Sequence, residues 1–495
     1  MAIEDNNLYS GEKIHRVKRS QELSPEILSI QKRQNSTRGI YSPLLIFYGL
    51  IFLIILGTIG LSLPFSKSGL VEYSFVDYIF VSTSAVTVTG LVPFDTELGW
   101  TLFGQSIILF LSFIGGIGFM VGAGFLLLII TGRKLNLEQR LLIREGLSDS
   151  SPTKLETGNT PNFLLNVVYL AIIFQIVGII MLYFLMGENI HFNDYGRIYN
   201  SIFHSVAAFN GSGFDIINDA NGGSIGSITG DSYFLIITMV LIFFGSIGYP
   251  IVFELLRNIK MASLSKFKEI HLSLNSKIVI IATFLILILG SAQFLFGEWN
   301  NTYTIYGSSF NSKITHSIFH AITRTAGFSL IDYDLIHNST TFTTIVLMLI
   351  GGSSLSVAGG IKVGTLTVII VALISNIRGG EEEVTIFKRT ISAQVVRRSF
   401  VIFVFSIILL SVGFIIMASF EPDNLFKELL FESVSAFGNV GLSTGITKDL
   451  NHLSKIILSI LMIIGRFGPL LLATLLLGNK EQGKIRQPYE SVRIG

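Results

Sequence analysis

The 495-residue sequence contains no cysteine and only 10 prolines, and charged residues make up 14% of it. The lack of cysteine excludes disulfide bonds, thiolate metal sites and a cysteine nucleophile. Half of the residues are hydrophobic, and the mean hydropathy is +0.64. So little charge in so long a chain predicts a polytopic membrane protein.

Eight largely apolar segments reach the length of about 20 residues that a helix needs to cross the hydrocarbon layer. They are 43–64, 104–131, 161–186, 233–256, 276–297, 341–375, 397–419 and 454–478. Shorter semi-apolar segments lie between the members of successive pairs, at 74–91, 198–214, 314–328 and 428–442. Because each is too short to cross and return as a helix, we expect four re-entrant segments.

The distribution of charge predicts the orientation in the membrane. The N-terminal segment, three polar loops (132–160, 257–277 and 376–399) and the C-terminal tail hold 26 of the 35 lysines and arginines. With eight spans these regions share one side, which the positive-inside rule makes the cytoplasm. The opposite side carries Asp95, Glu97, Asp215, Asp219, Asp231, Asp332, Asp334, Glu421 and Asp423. These acids would concentrate cations within about 8 Å, although any single one also fits an ordinary solvated loop.

The four re-entrant segments end in similar short sequences. These are Thr87-Val88-Thr89-Gly90, Asn210-Gly211-Ser212-Gly213, Arg324-Thr325-Ala326-Gly327 and Gly438-Asn439-Val440-Gly441. A second glycine follows in the next span, 25, 32, 24 and 24 residues later, at Gly115, Gly245, Gly351 and Gly465. A closing glycine and a span glycine that recur at similar spacing in four units indicate internal repetition. A tight turn at a helix end would explain one such sequence but not four in register.

Non-helical backbone in a membrane must be packed in protein or line a wet cavity. Four short loops around one axis can point carbonyl oxygens inward and replace the hydration shell of a cation, as in potassium filters. Glycine serves where the backbone needs conformations that a Cβ forbids. The hydroxyls of Thr87, Thr89, Ser212 and Thr325 can bond behind or beside the loops. We therefore predict an ion filter built from these four sequences, with K+ at the carbonyl groups of Thr87, Val88, Asn210, Gly211, Thr325 and Asn439.

These sequences resemble the Trk/Ktr/HKT superfamily of potassium transporters. The resemblance rests on Thr87–Leu91, Thr323–Phe328, Gly438–Leu442, Gly351–Ser354 with Ala358–Lys362, and Gly465–Pro469, and it covers about 43–478. Eight spans favour the KtrB-like branch over TrkH, which typically carries extra N-terminal helices. The resemblance implies a single-file potassium path, a homodimer and a cytosolic, ring-forming nucleotide-binding regulatory subunit like KtrA or TrkA.

The predicted fold is an all-α polytopic membrane protein with four pseudo-repeated helix–pore loop–helix units around a central pore. The boundaries are a cytoplasmic N-terminal segment at 1–42, pore units at 43–131, 132–256, 257–375 and 376–478, and a cytoplasmic tail at 479–495. Two features depart from the family pattern. The second loop reads Asn-Gly-Ser-Gly, where a bulkier second residue is more usual. Phe319 lies eight residues before its closing glycine, whereas Phe80, Phe203 and Phe431 lie ten before theirs.

The sixth span, 341–375, is longer than a crossing requires. Its centre, 351–364, contains the candidate gate residues Gly351, Gly352, Ser353, Ser354, Gly359, Gly360 and Lys362. Interrupted spans in transporters tend to line the substrate path. We expect this stretch to leave the helix and cross the pore below the filter as a gate; a long tilted helix with glycine-mediated packing is the alternative.

Three basic residues lie well inside apolar or semi-apolar segments, away from their ends, where an ionisable group is costly. We assign Arg466 a barrier role below the filter, with an interhelical salt bridge or a carbonyl clamp as the alternative. Lys362 either has a similar barrier role or extends its side chain to the cytoplasmic side. We expect Arg324 to turn away from the ion path and tie its loop to Glu432 or another carboxylate.

Two other function classes are alternatives to potassium uptake. Sodium-selective or non-selective cation transport is the first, and sodium is also a candidate coupled ion; the presence of all four closing glycines favours potassium. A membrane-embedded enzyme is the second, but it would leave the fourfold repetition unexplained.

His204 and His320 open two re-entrant helices and fit packing or hydrogen bonding better than proton coupling. We expect location in the plasma (inner) membrane and no nucleic-acid partner.

Overall fold

The computed structural model describes residues 43–117, 160–185, 196–217, 232–264, 272–379 and 384–468. Helices dominate these ranges. In chain order they are α1 (Pro43–Ser62), α2 (Phe75–Thr87), α3 (Thr96–Gly99), α4 (Leu102–Gly116), α5 (Thr160–Leu185), α6 (Gly196–Asn210), α7 (Ser232–Ser246), α8 (Tyr249–Leu264), α9 (Leu274–Gly297), α10 (Phe310–Thr323), α11 (Asn338–Leu349), α12 (Val363–Ile377), α13 (Ala393–Phe420), α14 (Phe426–Gly438) and α15 (His452–Phe467). Strands β1 (Val384–Ile386) and β2 (Arg389–Ile391) form a small antiparallel hairpin.

The predicted re-entrant segments contain the short helices α2, α6, α10 and α14. Each packs against the long helix that precedes it: α2 on α1, α6 on α5, α10 on α9 and α14 on α13. The start of α2 shows why the chain turns there. The Ser74 hydroxyl accepts from the Asp77 backbone N–H at 3.2 Å, and the Asp77 carboxylate accepts from the Ser74 N–H at 2.9 Å. This capping box satisfies two of the otherwise unpaired N–H groups at the helix start.

Each of these short helices contributes a phenylalanine to the interior. Phe80, Phe203, Phe319 and Phe431 are each at most 1% exposed. The offset of Phe319 in the sequence therefore does not remove it from the core.

Three helices of the described chain are long and apolar enough to cross a membrane, namely residues 165–185 of α5, α9 and α13. The bent pair α7–α8 adds a fourth if it is one span. The second halves of the predicted spans 104–131 and 454–478 lie largely outside the described residues, as do segments 1–42 and 479–495. The apolar helices are consistent with a polytopic membrane protein, and the count of eight spans stays a prediction.

Two of the predicted spans are interrupted. The sixth is non-helical from Ile350 to Lys362, between α11 and α12, close to the predicted 351–364. The fourth, predicted as one helix over 233–256, is wrong as such, because α7 and α8 meet at 103°. Gly248 lies at the bend with φ +93°, a conformation open to glycine and unfavourable for other residues. The sequence at the bend holds two glycines and a proline, Gly245, Gly248 and Pro250, which are signals of a break that the prediction of one helix did not take into account.

In three units, a glycine in the span that follows the loop lets that span approach the short helix closely. A Cβ added to Gly115, Gly245 or Gly465 would lie 2.1, 2.0 or 1.8 Å from the carbonyl oxygen of Val86, Phe209 or Phe437 respectively. Each of these carbonyls belongs to the residue four before a closing glycine. Gly351 differs, since its Cβ would meet the carbonyl oxygen of Gly359 at 1.8 Å. The interruption of the sixth span thus replaces the packing found in the other three units.

Candidate functional site: four loops and a barrier segment

Three of the four glycine-closed loops share one backbone pattern. The residue two before the closing glycine is left-handed in each, at Val88 (φ 58°), Gly211 (φ 67°) and Asn439 (φ 51°). The next N–H donates to the carbonyl five residues back, over 2.8 Å in the first loop and 2.9 Å in the second and fourth. This is the hydrogen bonding of a helix that ends in a left-handed cap. The loops therefore leave their helices in the same way.

The third loop has a different backbone. Thr325, two before its closing glycine, does not have a positive φ, and the Ala326 N–H donates to the carbonyl of Thr323 at 2.8 Å. The Phe328 N–H then donates to the carbonyl of Ala326 at 2.9 Å. The irregular spacing of Phe319 in the sequence correctly indicated that this unit departs from the others in detail.

The four closing glycines, here called the glycine ring, contact one another's loops in cyclic order. A Cβ on Gly90 would lie 2.0 Å from the carbonyl oxygen of Ser212, and one on Gly213 would lie 2.4 Å from the Cα of Gly327. A Cβ on Gly327 would lie 2.9 Å from the carbonyl carbon of Gly441. One on Gly441 would lie 2.0 Å from the carbonyl oxygen of Thr89, which returns the contact to the first loop. Loops far apart in the sequence thus meet at one place.

The polar side chains of the loops are buried and bond around this ring. The hydroxyls of Thr87 and Thr89 lie 2.8 Å apart, and the Asn439 amide donates to Thr89 Oγ1 at 2.9 Å. The hydroxyl of Ser212 donates to the carbonyl of Ala207 at 3.4 Å. The Thr325 hydroxyl donates to the carbonyl of Ile322 at 3.3 Å. The Asn210 side-chain oxygen accepts from the Gln175 amide at 3.4 Å. The hydroxyls bond beside and behind the loops, as predicted.

A cavity of about 400 Å³ opens onto all four members of the glycine ring. Four of the predicted acids contribute to its lining: Asp95, Glu97, Asp215 and Asp332. Glu421 instead accepts from the backbone N–H of Asn451 at 2.7 Å, and Asp219 and Asp231 lie outside the described residues. Lys448 also lines the cavity. No pattern marked this lysine in the sequence, because it stands alone in a loop.

Residues 350–362, here called the barrier segment, pack against residues of the second and fourth units. Ile350 and Ile361 form a parallel bridge, in which the Gly351 N–H donates to the carbonyl of Ile361 at 2.8 Å. A Cβ on Gly359 would lie 2.2 Å from Asn439 Oδ1. The segment therefore lies directly against the fourth loop. Its Gly and Ser residues permit this close packing, which a straight helix could not provide.

The basic residues bind backbone carbonyl groups. Arg466 donates from Nη1 to the carbonyl of Val357 and from Nη2 to that of Gly115. This matches the carbonyl clamp that was the alternative for Arg466, and it ties α15 to the barrier segment. Lys362 Nζ donates to the carbonyl of Ala358.

The expectation that Arg324 pairs with a carboxylate is wrong. Its guanidinium donates to the carbonyl of Ile350, and also to those of Leu347 and Gly351 at 3.4 and 3.5 Å. These groups belong to the last turn of α11 and to the start of the barrier segment, where the carbonyls have no helical partner. Glu432 bonds instead to Thr447 Oγ1 at 2.9 Å.

The two buried histidines do not open their helices, since His204 lies in the middle of α6 and His320 in the last turn of α10. Both make packing and hydrogen-bonding contacts. His204 Nε2 lies 3.0 Å from Thr238 Oγ1, and its ring packs on Phe234. His320 Nδ1 lies 3.0 Å from the Tyr333 hydroxyl, and its ring stacks on Phe294.

One polar contact near the site was missed from the sequence. Lys455 Nζ and the Asp77 carboxylate are 2.9 Å apart, and their side chains are only 7% and 8% exposed. The ion pair joins α2 of the first unit to α15 of the fourth. The capping sequence around Ser74 marked Asp77, but nothing in the sequence pointed to a partner far along the chain.

Interrupted apolar helices and a meeting point of four loops are features typical of membrane transport proteins. The TrkH family of cation transport proteins matches residues 51–487, and the chain belongs to this family. It is therefore a transport protein and not an enzyme.

Individual relatives agree with this assignment. The chain is 32% identical over 454 residues to "Ktr system potassium uptake protein B" of Bacillus subtilis, covering 92% of this chain and 96% of the relative. It is 31% identical to "Potassium/sodium uptake protein NtpJ" of Enterococcus hirae, covering 94% of this chain and 100% of the relative. The crystal structure of the potassium transporter TrkH from Vibrio parahaemolyticus has the same fold, with a TM-score of 0.67, 18% identity, and coverage of 89% of this chain and 86% of that one.

Proposed function

We propose that this protein is the pore-forming subunit of a Trk/Ktr-type system and takes up potassium ions through a gated pore. The observation that carries the proposal is the closed sequence of contacts among the four members of the glycine ring. Loops that meet around one centre can surround a single ion with main-chain oxygens. The relatives named for potassium uptake support the same cargo.

The proposed ion ligands are the carbonyl oxygens of Thr87, Val88, Asn210, Gly211, Thr325 and Asn439. The five that are not glycine are each at most 5% exposed. Among the described residues, none donates a hydrogen bond to these six oxygens. Buried carbonyls without a partner are costly, so a dehydrated K+ at this place would satisfy groups that the protein leaves open.

The proposed gate is the barrier segment together with Arg466. The segment contacts the fourth loop, and the guanidinium binds the segment at Val357. A fixed positive charge below a cation filter opposes permeation. Opening therefore requires the segment, the arginine or both to move, while the filter above keeps its geometry.

The proposed setting is the plasma (inner) membrane, with both termini in the cytoplasm. We also propose a homodimer and a cytosolic nucleotide-binding regulatory subunit of the KtrA/TrkA kind. Binding of such a subunit to the purified protein, measured with and without ATP, tests this part. Absence of binding under both conditions would contradict it.

Sodium transport is the second candidate, because the Enterococcus hirae relative is named for both potassium and sodium. Rescue of a potassium-uptake-deficient strain, followed by ⁸⁶Rb⁺ influx with increasing Na⁺, separates the two. We expect rescue and little competition by sodium. Equal competition by Na⁺ and K⁺ would favour the non-selective alternative, and absence of any influx would contradict cation uptake.

A further inference from the structure

The bend between α7 and α8 leaves backbone groups without helical partners. The last carbonyls of one helix and the first N–H groups of the next have no bond within their own helix. Here the barrier segment provides bonds to the carbonyls. The Val357 N–H donates to the carbonyl of Gly245 at 3.2 Å, and the Ser353 N–H donates to that of Ser246 at 3.0 Å.

The barrier segment also binds the start of α8. The Tyr249 N–H donates to the carbonyl of Leu355 at 3.3 Å, and the next residue, Pro250, has no N–H to satisfy. Gly248 permits this contact, since a Cβ there would lie 2.8 Å from the carbonyl oxygen of Ser354. The break in the fourth span is therefore a binding surface for the barrier segment.

The side chain of Tyr249 connects this surface to another unit. It is 2% exposed, and its hydroxyl donates to the carbonyl of Gly116 at 3.3 Å. Gly116 is the last residue of α4, where the carbonyl has no helical partner. One residue thus holds the barrier segment through its backbone and the first unit through its hydroxyl.

We propose that Tyr249 is a positioning residue for the gate, which keeps the barrier segment closed by fixing the start of α8 to the end of α4. The proposal rests on the function proposed above. When the segment moves away, the backbone groups at the break must bond to pore water instead. Loss of the Tyr249 hydroxyl loosens α8 in the closed state only and so favours opening.

The test is the substitution Tyr249→Phe in the full-length chain, reconstituted in liposomes and assayed by ⁸⁶Rb⁺ influx. One neutral hydrogen bond corresponds to about a five-fold change in an equilibrium. We expect about five-fold faster maximal influx, with the preference for Rb⁺ over Na⁺ unchanged and the thermal unfolding midpoint lowered by about 2 °C or less. Tyr183→Phe, at a 38% exposed tyrosine of α5, is the matched control and should match the wild type.

A second readout does not depend on flux. Because the chain has no cysteine, Ser353→Cys introduces a single thiol at a site that is 1% exposed. Its modification by a small water-soluble thiol reagent should be about five-fold faster when Tyr249→Phe is also present. Equal modification rates, together with wild-type influx in Tyr249→Phe, would overturn the role of Tyr249. A wild-type protein that carries no Rb⁺ would contradict the proposed function instead.

Discussion

The side-chain amide of Asn439 donates a hydrogen bond to the hydroxyl of Thr89 at 2.9 Å, and so joins the fourth loop to the first. The same amide donates to the carbonyl of Met462 in α15 at 2.8 Å. These bonds hold two loops in register at the point where the chain's first and last units meet. Asn439 is left-handed, with φ 51°, which asparagine tolerates better than most residues.

Replacement of Asn439 by glycine should therefore lower ion selectivity. Asn439→Gly keeps the left-handed backbone accessible and removes both side-chain bonds. We expect the preference for Rb⁺ over Na⁺ to fall by up to about thirty-fold, since two buried hydrogen bonds are worth roughly 1 kcal/mol each, while Na⁺ influx rises. Asn424→Gly, in a loop away from the ring, is the control. An unchanged preference in Asn439→Gly would show that this link does not set the filter geometry.

The glycine ring predicts a graded response to alanine. Gly90, Gly213 and Gly441 have positive φ and meet neighbouring backbone at 2.0–2.4 Å, whereas Gly327 lacks positive φ and its nearest neighbour is at 2.9 Å. Alanine at the first three positions should abolish selective Rb⁺ influx, and Gly327→Ala should reduce it less. Influx relative to Gly307→Ala, which has open space around its Cβ position, measures the effect. Equal losses at all four positions would contradict the asymmetric third loop.

The sequence predicted the short helices and the loops well, because glycine spacing and apolar length are local features. It also predicted that residues near 351–364 leave the helix, since Gly and Ser are dense there. It missed the bend at Gly248, although Gly245, Gly248 and Pro250 lie close together there, because the apolar residues on both sides add up to the length of one span. It placed Arg324 with a carboxylate, because a sequence shows charges but not the unpaired carbonyls at the end of α11. The link between Asp77 and Lys455 depends on how the first and fourth units pack, which no local pattern encodes.

The buried ion pair between Asp77 and Lys455 should matter for stability. Removal of one partner leaves a charge buried alone, at a cost of about 3–5 kcal/mol. We expect Asp77→Asn or Lys455→Met to lower the free energy of unfolding by roughly this amount, and the double variant to be more stable than either single one. Denaturant unfolding in detergent measures this. Asp449→Asn, at an exposed site, is the control, and additive losses in the double variant would refute the pairing.

Movement of the barrier segment can be tested by cross-linking it to the bend. A Cβ at position 248 would lie 3.1 Å from that of Ser353, near the 3.5–4.5 Å typical of disulfides. The double variant Gly248→Cys with Ser353→Cys should lose Rb⁺ influx on oxidation and regain it with reductant. Because a side chain at position 248 is strained, the reduced double variant is the reference. Full influx with the disulfide formed would show that the segment does not need to leave the bend.

The most direct test of the central claim is to locate the ion. A structure of the protein with Rb⁺ in place of K⁺, determined with anomalous diffraction, should show rubidium among the carbonyl oxygens of Thr87, Val88, Asn210, Gly211, Thr325 and Asn439, next to the glycine ring. Rubidium bound only elsewhere, with these oxygens bonded to other groups, would contradict the account.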